Sequence, residues 1–337
     1  MDNSSNSPVT PRMTAGATTG VTTDLGGGVH SIDTLMAGYD GITAGYLVLA
    51  DRPILIETGT AKSAPTVQAA LASHGIGAQD LATVVVTHVH LDHAGGIGDI
   101  ARMYPRAEVV VHELGARHLV DPTRLVASAR RVYGSAMDDV FGELLATPSE
   151  RVHAVGTSAS LDLGGGRTMT LRHSPGHAKH HIGLLDDLTG DLYVGDAAGI
   201  YIPEVDLVRP GTPPPDFDLD MSIASIEMFR AMRPKRLLFS HFGPVEQVDD
   251  VLDRATEELR LWVELVRQAR TERLDLDHAV DAVRSRTAAR YAAIRADPAL
   301  DEKFERLNSF AANIAGINRW LDRVEGAAAV DMGDAAG

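Results

Sequence analysis

The stretch THVHLDHAGG, residues 87–96, places three histidines and one aspartate within six consecutive positions. It directly follows LATVVV, residues 81–86, whose β-branched apolar composition is typical of a short buried strand. The polar side chains are therefore expected in a loop at the end of that strand. A divalent metal needs several imidazoles and carboxylates at about 2.0 to 2.2 Å, and closely spaced residues in a loop can supply them. The stretch predicts a metal site.

Three further segments with metal-ligand side chains stand in the same relation to predicted strands. They are HSPGH (residues 173–177) after strand 167–171, Gly195-Asp196 after strand 191–194, and Ser240-His241 after strand 236–239. Loops at one edge of a packed sheet converge, and binding residues are commonly carried there. We therefore expect these side chains to meet those of residues 88–93.

The spacing divides the candidate ligands into two groups. Two metals about 3.5 to 4 Å apart can share a water, lower its pKa toward about 7 and hold it as an attacking hydroxide. We predict Asp92 and Asp196 as catalytic residues, with Asp92 also able to move a proton to the leaving group. The predicted ligands are His88, His90 and His177 for one metal, Asp92, His93 and His241 for the other, and Asp196 as the bridge.

Composition limits the partners of the chain. The 337 residues include no cysteine, which excludes thiolate metal sites and a cysteine nucleophile. The net charge of −15 opposes binding to nucleic acid and to anionic membranes, and no apolar run approaches the roughly 20 residues of a membrane helix. We expect a cytoplasmic protein that acts on a small molecule, with no nucleic-acid or membrane partner.

The chain divides into four segments by pattern. Residues 1–28 are rich in Ser, Thr, Gly and Pro and are expected to be a flexible tail, whereas residues 29–245 alternate between strand and helix signals. Residues 246–325 are predicted to be a helical extension, and residues 326–337 a second flexible tail. The catalytic domain is thus expected within residues 29–245.

Apolar stripes at helical spacing run along the predicted extension. Asp297-Pro298 is expected to separate two of its helices. Such stripes indicate either a core face or the interface of a homodimer, or a helical domain that closes over the site. The two stripes are Leu259, Trp262, Val263 and Val266, and Leu307, Phe310, Ala311 and Ile314.

Together with LIETG at residues 55–59, these motifs resemble the metallo-β-lactamase fold superfamily, and among its branches the glyoxalase II-like and lactonase-like hydrolases. The resemblance covers roughly residues 29 to 245. It implies an α/β (α+β) protein with an αββα four-layer sandwich, here followed by a C-terminal helical extension. It also implies the same metal ligands at the positions assigned above.

Two departures from the family pattern lie near the predicted site. Glu57 stands where the family usually has aspartate, so a carboxylate that can orient a ligand is kept but is one methylene longer. The segment AKHH at residues 178–181 adds two imidazoles after the Pro-Gly-His motif. Glu57, His180, His181 and Tyr201 are candidates for contacts to the ligands or to the substrate.

The predicted function is hydrolysis of a small thioester, lactone or other ester by a hydroxide that bridges two divalent metals, an activity of enzyme class 3. Zinc is the expected metal, while iron and manganese stay open because imidazole and carboxylate suit all three. An iron-dependent oxidoreductase or dioxygenase of the same fold is the alternative. A phosphodiesterase or ribonuclease is disfavoured by the acidic charge.

Overall fold

The computed structural model of the protein describes residues 21–134 and 137–334. In this part of the chain two mixed β-sheets lie face to face, and helices cover the outer face of each sheet. A further group of helices follows the last strand. The predicted α/β class, the αββα four-layer sandwich and the C-terminal helical extension are confirmed.

The first sheet contains seven strands that lie side by side in chain order. They are β1 (Val21–Gly26), β2 (Val29–Asp33), β3 (Ala44–Val48), β4 (Ile54–Ile56), β5 (Thr83–Val85), β6 (Glu108–His112) and β7 (Val152–Val155). Strands β1 to β4 pair antiparallel, whereas β4 to β7 run parallel. The carboxyl ends of β4, β5 and β6 therefore lie at one edge of the sheet.

The second sheet contains six strands, and a two-stranded hairpin follows one of them. In chain order the strands are β8 (Ser158–Asp162), β9 (Thr168–His173), β10 (Ile182–Asp186), β11 (Asp191–Gly195), β12 (Ile200–Ile202), β13 (Leu207–Arg209), β14 (Arg236–Phe239) and β15 (Gly243–Val245). Strands β12 and β13 form the hairpin, and the sheet order is β15-β14-β11-β10-β9-β8. Because β14 runs parallel to β11, and β9 and β11 are both antiparallel to β10, the carboxyl ends of β9, β11 and β14 share an edge.

Successive side chains of a strand point to opposite faces of its sheet. In the central strands of each sheet, one face packs on the other sheet and the opposite face packs on helices, so both are buried. In the first sheet Ile56 faces the second sheet, and its neighbour Leu55 faces the outer helices. In the second sheet Tyr193 faces the first sheet, and Leu192 faces outward. This arrangement explains why the strands appear in the sequence as continuous apolar runs rather than as alternating ones.

Among the described residues, five α-helices accompany the first sheet, one covers the outer face of the second sheet, and five make up the extension. They are α1 (Ala64–Ser73), α2 (Leu91–Ala94), α3 (Ile97–Met103), α4 (Glu113–Val120), α5 (Thr123–Tyr133), α6 (Leu219–Ala231), α7 (Val248–Thr271), α8 (Leu276–Arg286), α9 (Ala292–Arg295), α10 (Pro298–Leu307) and α11 (Phe310–Asp334). Among the described residues, no helix combines the length and apolarity that crossing a bilayer requires.

The structure corrects the boundaries of both predicted tails. Residues 21–26 form β1 and pair with β2, so residues 21–28 are a hairpin and not a flexible tail. The sequence of this hairpin, rich in threonine and glycine, lacks the alternation of apolar and polar residues that predicts a strand. β1 lies at the edge of the sheet, where few of its side chains are buried. At the other end, α11 continues to Asp334 through residues predicted as a tail. Residues 1–20 and 335–337 of those tails lie outside the described residues.

The second apolar stripe of the extension also differs from the prediction. Leu307 ends α10 and Phe310 begins α11, so the stripe spans two helices rather than one. Phe310 and Ile314 are buried within the chain, in the same apolar cluster as Trp262. Asp297 separates two helices as predicted, and its carboxylate caps the start of α10.

Candidate metal centre

The seven predicted ligands meet where the carboxyl ends of strands from both sheets face each other. His88, His90, Asp92 and His93 follow β5, His177 follows β9, Asp196 follows β11 and His241 follows β14. Five of the seven are buried, and only His90 and Asp92 are half-buried at the solvent side. Among the described residues, two of the three groups of side chains that could hold a metal ion are His88-His90-His177 and Asp92-His93-His241, the sets named from the sequence. The third, Glu57-His88-His93, takes one imidazole from each and adds the Glu57 carboxylate.

The first group, His88-His90-His177, brings three imidazole nitrogens together. His88 Nε2 lies 3.0 Å from His90 Nδ1, and His177 Nε2 lies 3.0 Å from the same atom. Three ring nitrogens facing one another repel unless a proton or a cation lies between them. The geometry is therefore that of a cation site with three nitrogen donors.

The second group, Asp92-His93-His241, combines two imidazoles with a carboxylate. His93 Nε2 and His241 Nε2 are 3.1 Å apart, and Asp92 Oδ2 lies 3.6 Å from the first and 3.5 Å from the second. Asp92 and His93 are consecutive residues of the short helix α2, so a single turn supplies two metal-binding side chains.

Asp196 stands between the two groups, and its two carboxylate oxygens face different ones. Oδ1 lies 3.3 Å from His93 Nε2 and 3.4 Å from His241 Nε2, whereas Oδ2 lies 3.5 Å from His177 Nε2. Oδ1 is buried, and no described group makes a well-aligned hydrogen bond to it. The turn needs Gly195, since a Cβ there would lie 2.3 Å from His181 Nε2.

These residues fit a pair of divalent metals. Donors about 2.0 to 2.1 Å from a tetrahedral metal are about 3.3 Å from each other, close to the 3.0–3.6 Å separations found in both groups. A buried carboxylate oxygen without a hydrogen bond would cost free energy in the absence of a cation. The donors are nitrogens and carboxylate oxygens, which suit zinc, iron and manganese.

The far nitrogen of four of these imidazoles is held by a protein oxygen, which fixes the ring. His177 Nδ1 donates to the Gly211 carbonyl at 2.9 Å, and His241 Nδ1 donates to the Ile42 carbonyl at 2.8 Å. His88 Nδ1 lies 3.0 Å from Thr87 Oγ1. Such partners orient the ring and raise its basicity toward a metal.

Glu57 orients the fourth imidazole in the same way. Its Oε1 lies 3.4 Å from His93 Nδ1 and accepts hydrogen bonds from Ser240 Oγ at 3.1 Å and from Thr87 Oγ1. Glu57 has a left-handed backbone with a φ of +64°, which is uncommon for a residue other than glycine. The predicted orienting contact of Glu57 is thus present. Thr87 and Ser240 are partners that sequence reasoning missed.

The two added imidazoles differ in their contacts. His181 is buried, its Nδ1 lies 2.8 Å from Ser174 Oγ, and its Nε2 accepts the Asp196 backbone N–H at 3.1 Å. His181 therefore holds the Asp196 turn in place. The His180 ring centre lies 6.3 Å from that of His88 and 6.2 Å from that of His90, and its Nδ1 has no partner among the described residues.

The tyrosine named as a candidate is engaged elsewhere. Tyr201 Oη donates to Asp206 Oδ1 at 3.1 Å, and Asp206 also accepts from Arg254 of α7. The Tyr201 side chain thus connects the hairpin to the extension, while its backbone N–H donates to the His241 carbonyl. Tyr133, at the end of α5, is 48% exposed and packs on Phe141.

Electrostatics separate the two groups. Burial and the neighbouring imidazoles lower the pKa of His88 well below its ordinary value, and burial with His177 lowers the pKa of His90 to about 4. Burial alone would lower the pKa of His241, but the adjacent carboxylates of Asp196 and Asp92 raise it to about 9. The first group therefore offers neutral imidazoles, whereas a metal at the second group would have to displace protons from His93 and His241.

A family model described as the Metallo-beta-lactamase superfamily matches residues 38–241 of the chain. The chain belongs to the metallo-beta-lactamase superfamily. The match includes every residue of the two groups and ends at His241. The helical extension lies outside it.

Known members similar to this chain include an archaeal protein. The metallo-beta-lactamase fold-containing protein ST1585 from Sulfurisphaera tokodaii is 30% identical over 223 residues, which are 65% of this chain and 79% of that protein. The crystal structure of ST1585, from Sulfolobus tokodaii, aligns with a TM-score of 0.59 and 28% identity, covering 68% of this chain and 85% of that one.

More distant structures share the fold alone. The metallo-beta-lactamase family protein TTHA1429 from Thermus thermophilus has a TM-score of 0.56 at 20% identity, covering 84% of this chain and 89% of that one. The chemotaxis sensor ODP, solved with a peroxy diiron species, has a TM-score of 0.50 at 19% identity over 70% of this chain and 94% of that one.

Proposed function

We propose that this member of the superfamily is a hydrolase that depends on two divalent metals and acts on a small thioester, lactone or other ester. The proposed ligands are those predicted from the sequence. His88, His90 and His177 would hold one metal, Asp92, His93 and His241 the second, and Asp196 both.

The observation that supports this proposal most strongly is the orientation of Asp196. One of its oxygens lies within 3.4 Å of both imidazoles of the second group, and the other lies 3.5 Å from an imidazole of the first. A carboxylate placed in this way can share two cations. Two metals, when bound, would lower the pKa of a water between them and polarise the carbonyl of the substrate.

The residues of the chain then have separate tasks. Asp92 and His90 border the solvent side, so the substrate would enter across them. Burial would raise the pKa of Asp92, but His93 and His241 hold it well below the ordinary value, so its carboxylate stays ionised, which suits it to holding a cation. Passing a proton to the leaving group remains its second proposed task. The buried His181 and Glu57 keep Asp196 and His93 in position through the attack.

Zinc is the metal we propose, and the partners follow from the site. A small molecule fits a centre that two half-buried side chains border, and the acidic surface disfavours nucleic acid. A cytoplasmic location remains part of the same proposal. Iron in both sites would instead indicate redox chemistry.

Metal analysis combined with a substrate panel tests the proposal. The purified protein is analysed for bound metals and assayed with a thioester, a lactone and a phosphodiester. We expect close to two metals per chain and turnover of the thioester or the lactone. In His90→Ala and Asp196→Ala, turnover should fall by at least about 100-fold, since each lost interaction with the centre removes several kcal/mol of transition-state stabilisation.

The control for these variants is His278→Ala, which removes an exposed imidazole whose partner is Asp275 on the same helix turn. It should keep both metals and full turnover. One iron per chain, or two metals with no hydrolysis of any ester in the panel, would overturn the proposed activity. Phosphodiester turnover alone would move the protein to a different substrate class.

A further inference from the structure

Segment 209–212, which begins at the last residue of β13, connects the proposed metal site to the helical extension. His177 Nδ1 donates to the Gly211 carbonyl at 2.9 Å, and a Cβ on Gly211 would lie 3.3 Å from that nitrogen. The absence of a side chain thus lets the backbone approach the imidazole closely. The direction of the Gly211 carbonyl sets the direction of the His177 ring.

The opposite side of the same peptide group is held by the extension. The Gly211 carbonyl and the Thr212 N–H belong to one planar peptide unit, so fixing the N–H also fixes the carbonyl. Thr212 N–H donates to Asn313 Oδ1 at 2.6 Å, and Thr212 Oγ donates to that oxygen at 3.0 Å. Asn313 lies in the first turns of α11 and is 2% exposed.

A second amide fixes the peptide before Gly211. Asn308 Nδ2 donates to the Pro210 carbonyl at 2.9 Å, and Asn313 Nδ2 donates to Asn308 Oδ1 at 2.6 Å. Each amide therefore determines the orientation of the other. The Asn308 carbonyl also accepts from Arg209, whose side chain is fully buried. The Pro210 carbonyl and the Thr212 N–H, on either side of Gly211, are thus bound by Asn308 between α10 and α11 and by Asn313 of α11.

We propose that Asn313 is a positioning residue for the proposed ligand His177, and that Asn308 supports it. This inference rests on the proposed metal site. It assigns the helical extension the task of orienting one ligand of the first group. The second group, Asp92-His93-His241, has its own partners in Glu57 and Ile42, neither of which belongs to the extension.

The first test compares Zn²⁺ binding, measured by competition with a chelator, in the full-length protein and in Asn313→Ala. Partners of metal ligands change affinity by about 10- to 100-fold, so we expect weakening of about 10-fold at the first group. The second group should change by less than about 2-fold. Asn318→Ala is the matched control, because Asn318 lies on the same helix and contacts Arg270 instead.

A double-mutant cycle distinguishes positioning from general stability. If Asn313 acts through His177, Asn313→Ala should have no further effect on Zn²⁺ binding in a His177→Ala background. A purely structural role would weaken both groups alike and would persist in that background. Either of those results would overturn the inference.

A readout that needs no metal is the histidine side-chain NMR spectrum. In the wild type, the His177 Nδ1–H should give a protected, hydrogen-bonded signal, and Asn313→Ala should weaken or lose it while the His241 signal remains. Asn313→Asp keeps the acceptor for Thr212 and should be intermediate, which preserves the test if the alanine variant does not fold. An unchanged His177 signal in a folded variant would overturn the inference, whereas a wild type with this signal but no Zn²⁺ binding would refute only the proposed function.

Discussion

Glu57 accepts hydrogen bonds where three segments of the first and second sheets meet. Its carboxylate contacts Thr87 after β5, His93 in α2 and Ser240 after β14. A buried carboxylate with several donors is fixed in place, and in this position it keeps the His93 Nε2 atom directed at the second group. Glu57 therefore orients the proposed ligand His93.

Replacing Glu57 by glutamine should weaken the second group selectively. The amide removes the negative charge that faces His93 Nδ1 and presents an N–H to a side chain that already donates. We expect Zn²⁺ affinity at this group to fall by about 10- to 100-fold, as for other partners of metal ligands. Chelator competition measures the change.

The matched control is Glu108→Gln, an exposed glutamate on β6 that contacts only His153 among the charged residues described. It should leave both affinities unchanged. Glu57→Asp keeps the charge and should lie between the wild type and the glutamine variant. Equal affinities in wild type and Glu57→Gln would contradict the role of Glu57.

His112 gives the protein a dependence on pH away from the metal centre. Its Nδ1 accepts the Leu114 N–H at 3.2 Å and so caps α4, and its ring stacks on His173 with centres 4.0 Å apart. Burial and the His173 imidazole lower the pKa of His112 to about 4. Protonation would remove the cap acceptor, so the folded state favours the neutral ring.

The sign follows from the proton counts of the two states. Because the unfolded chain titrates near 6.5 and the folded His112 near 4, the unfolded state binds more protons between these values. The contribution of His112 to the free energy of unfolding should therefore be complete above pH 6.5. It should decrease by about 1 kcal/mol as the pH falls to 4, after allowance for solvent screening.

His112→Asn isolates this contribution, because asparagine caps a helix without titrating in this range. Urea denaturation at several pH values, taken as the difference between wild type and His112→Asn, measures it. A difference that does not change between pH 7 and pH 4 would refute the assignment.

At the residue level, the sequence identified the side chains of the candidate site, but of the groups that orient them it identified only Glu57 and His181. The seven clustered residues could be predicted because each follows a strand and carries a metal-binding group. The carbonyls of Ile42 and Gly211 could not, since every residue has a carbonyl and only the fold selects one. The role of Tyr201 stays a prediction, since its hydroxyl donates to Asp206 while its backbone N–H donates to the His241 carbonyl.

Among the elements, strands with apolar side chains on both faces were predictable and edge strands were not. The predicted strands that become β5, β9, β11 and β14 are all present. The edge strand β1 and the half-exposed β7 and β8 lack long apolar runs. The break between α10 and α11 was not predicted, because Leu307 at the end of α10 and the apolar residues of α11 follow one another at the spacing of a single helix.

The contact between α11 and segment 209–212 requires a glycine. A Cβ on Gly316 would lie 1.9 Å from the Thr212 carbonyl oxygen and 2.8 Å from the Pro213 carbonyl carbon. Both atoms belong to the backbone and cannot move aside as a side chain could. Gly316 thus lets the helix lie directly against the segment that carries Gly211.

Gly316→Ala should therefore destabilise the protein although alanine favours helix. Overpacking costs about 1 to 3 kcal/mol and exceeds the gain in helix propensity of up to about 1 kcal/mol. The same substitution at Gly326, where a Cβ meets no described atom within 4 Å, should stabilise the same helix slightly. Urea denaturation of both variants measures the contrast, and a stable Gly316→Ala would contradict the close approach.

For the whole molecule, the extension and the second sheet share one apolar core. Leu192 and Phe239 of the sheet belong to the same buried cluster as Trp262, Ile314 and Trp320 of the extension. Polar contacts add to it, since Arg254 of α7 contacts Asp206 and Asn313 contacts Thr212. Unfolding of the extension would therefore also expose the apolar side chains of the second sheet that pack against it.

We therefore expect the extension and the sandwich to unfold in one transition. The two tryptophans of the chain, Trp262 and Trp320, are both buried in the extension, so their fluorescence reports that region alone. Hydrogen exchange at peptides covering β4 and β5 reports the sandwich. In urea, both probes should give the same midpoint, as a two-state transition requires.

Ile314→Ala sharpens this test, because it removes buried volume only from the extension side of the shared core. Its cost of about 2 to 5 kcal/mol should move the fluorescence midpoint and the exchange midpoint together. If the fluorescence midpoint fell while exchange at β4 and β5 stayed at the wild-type value, the extension would be a separately folding unit. Its contact with segment 209–212 could then open without unfolding the sandwich, and the hold on His177 would be reversible.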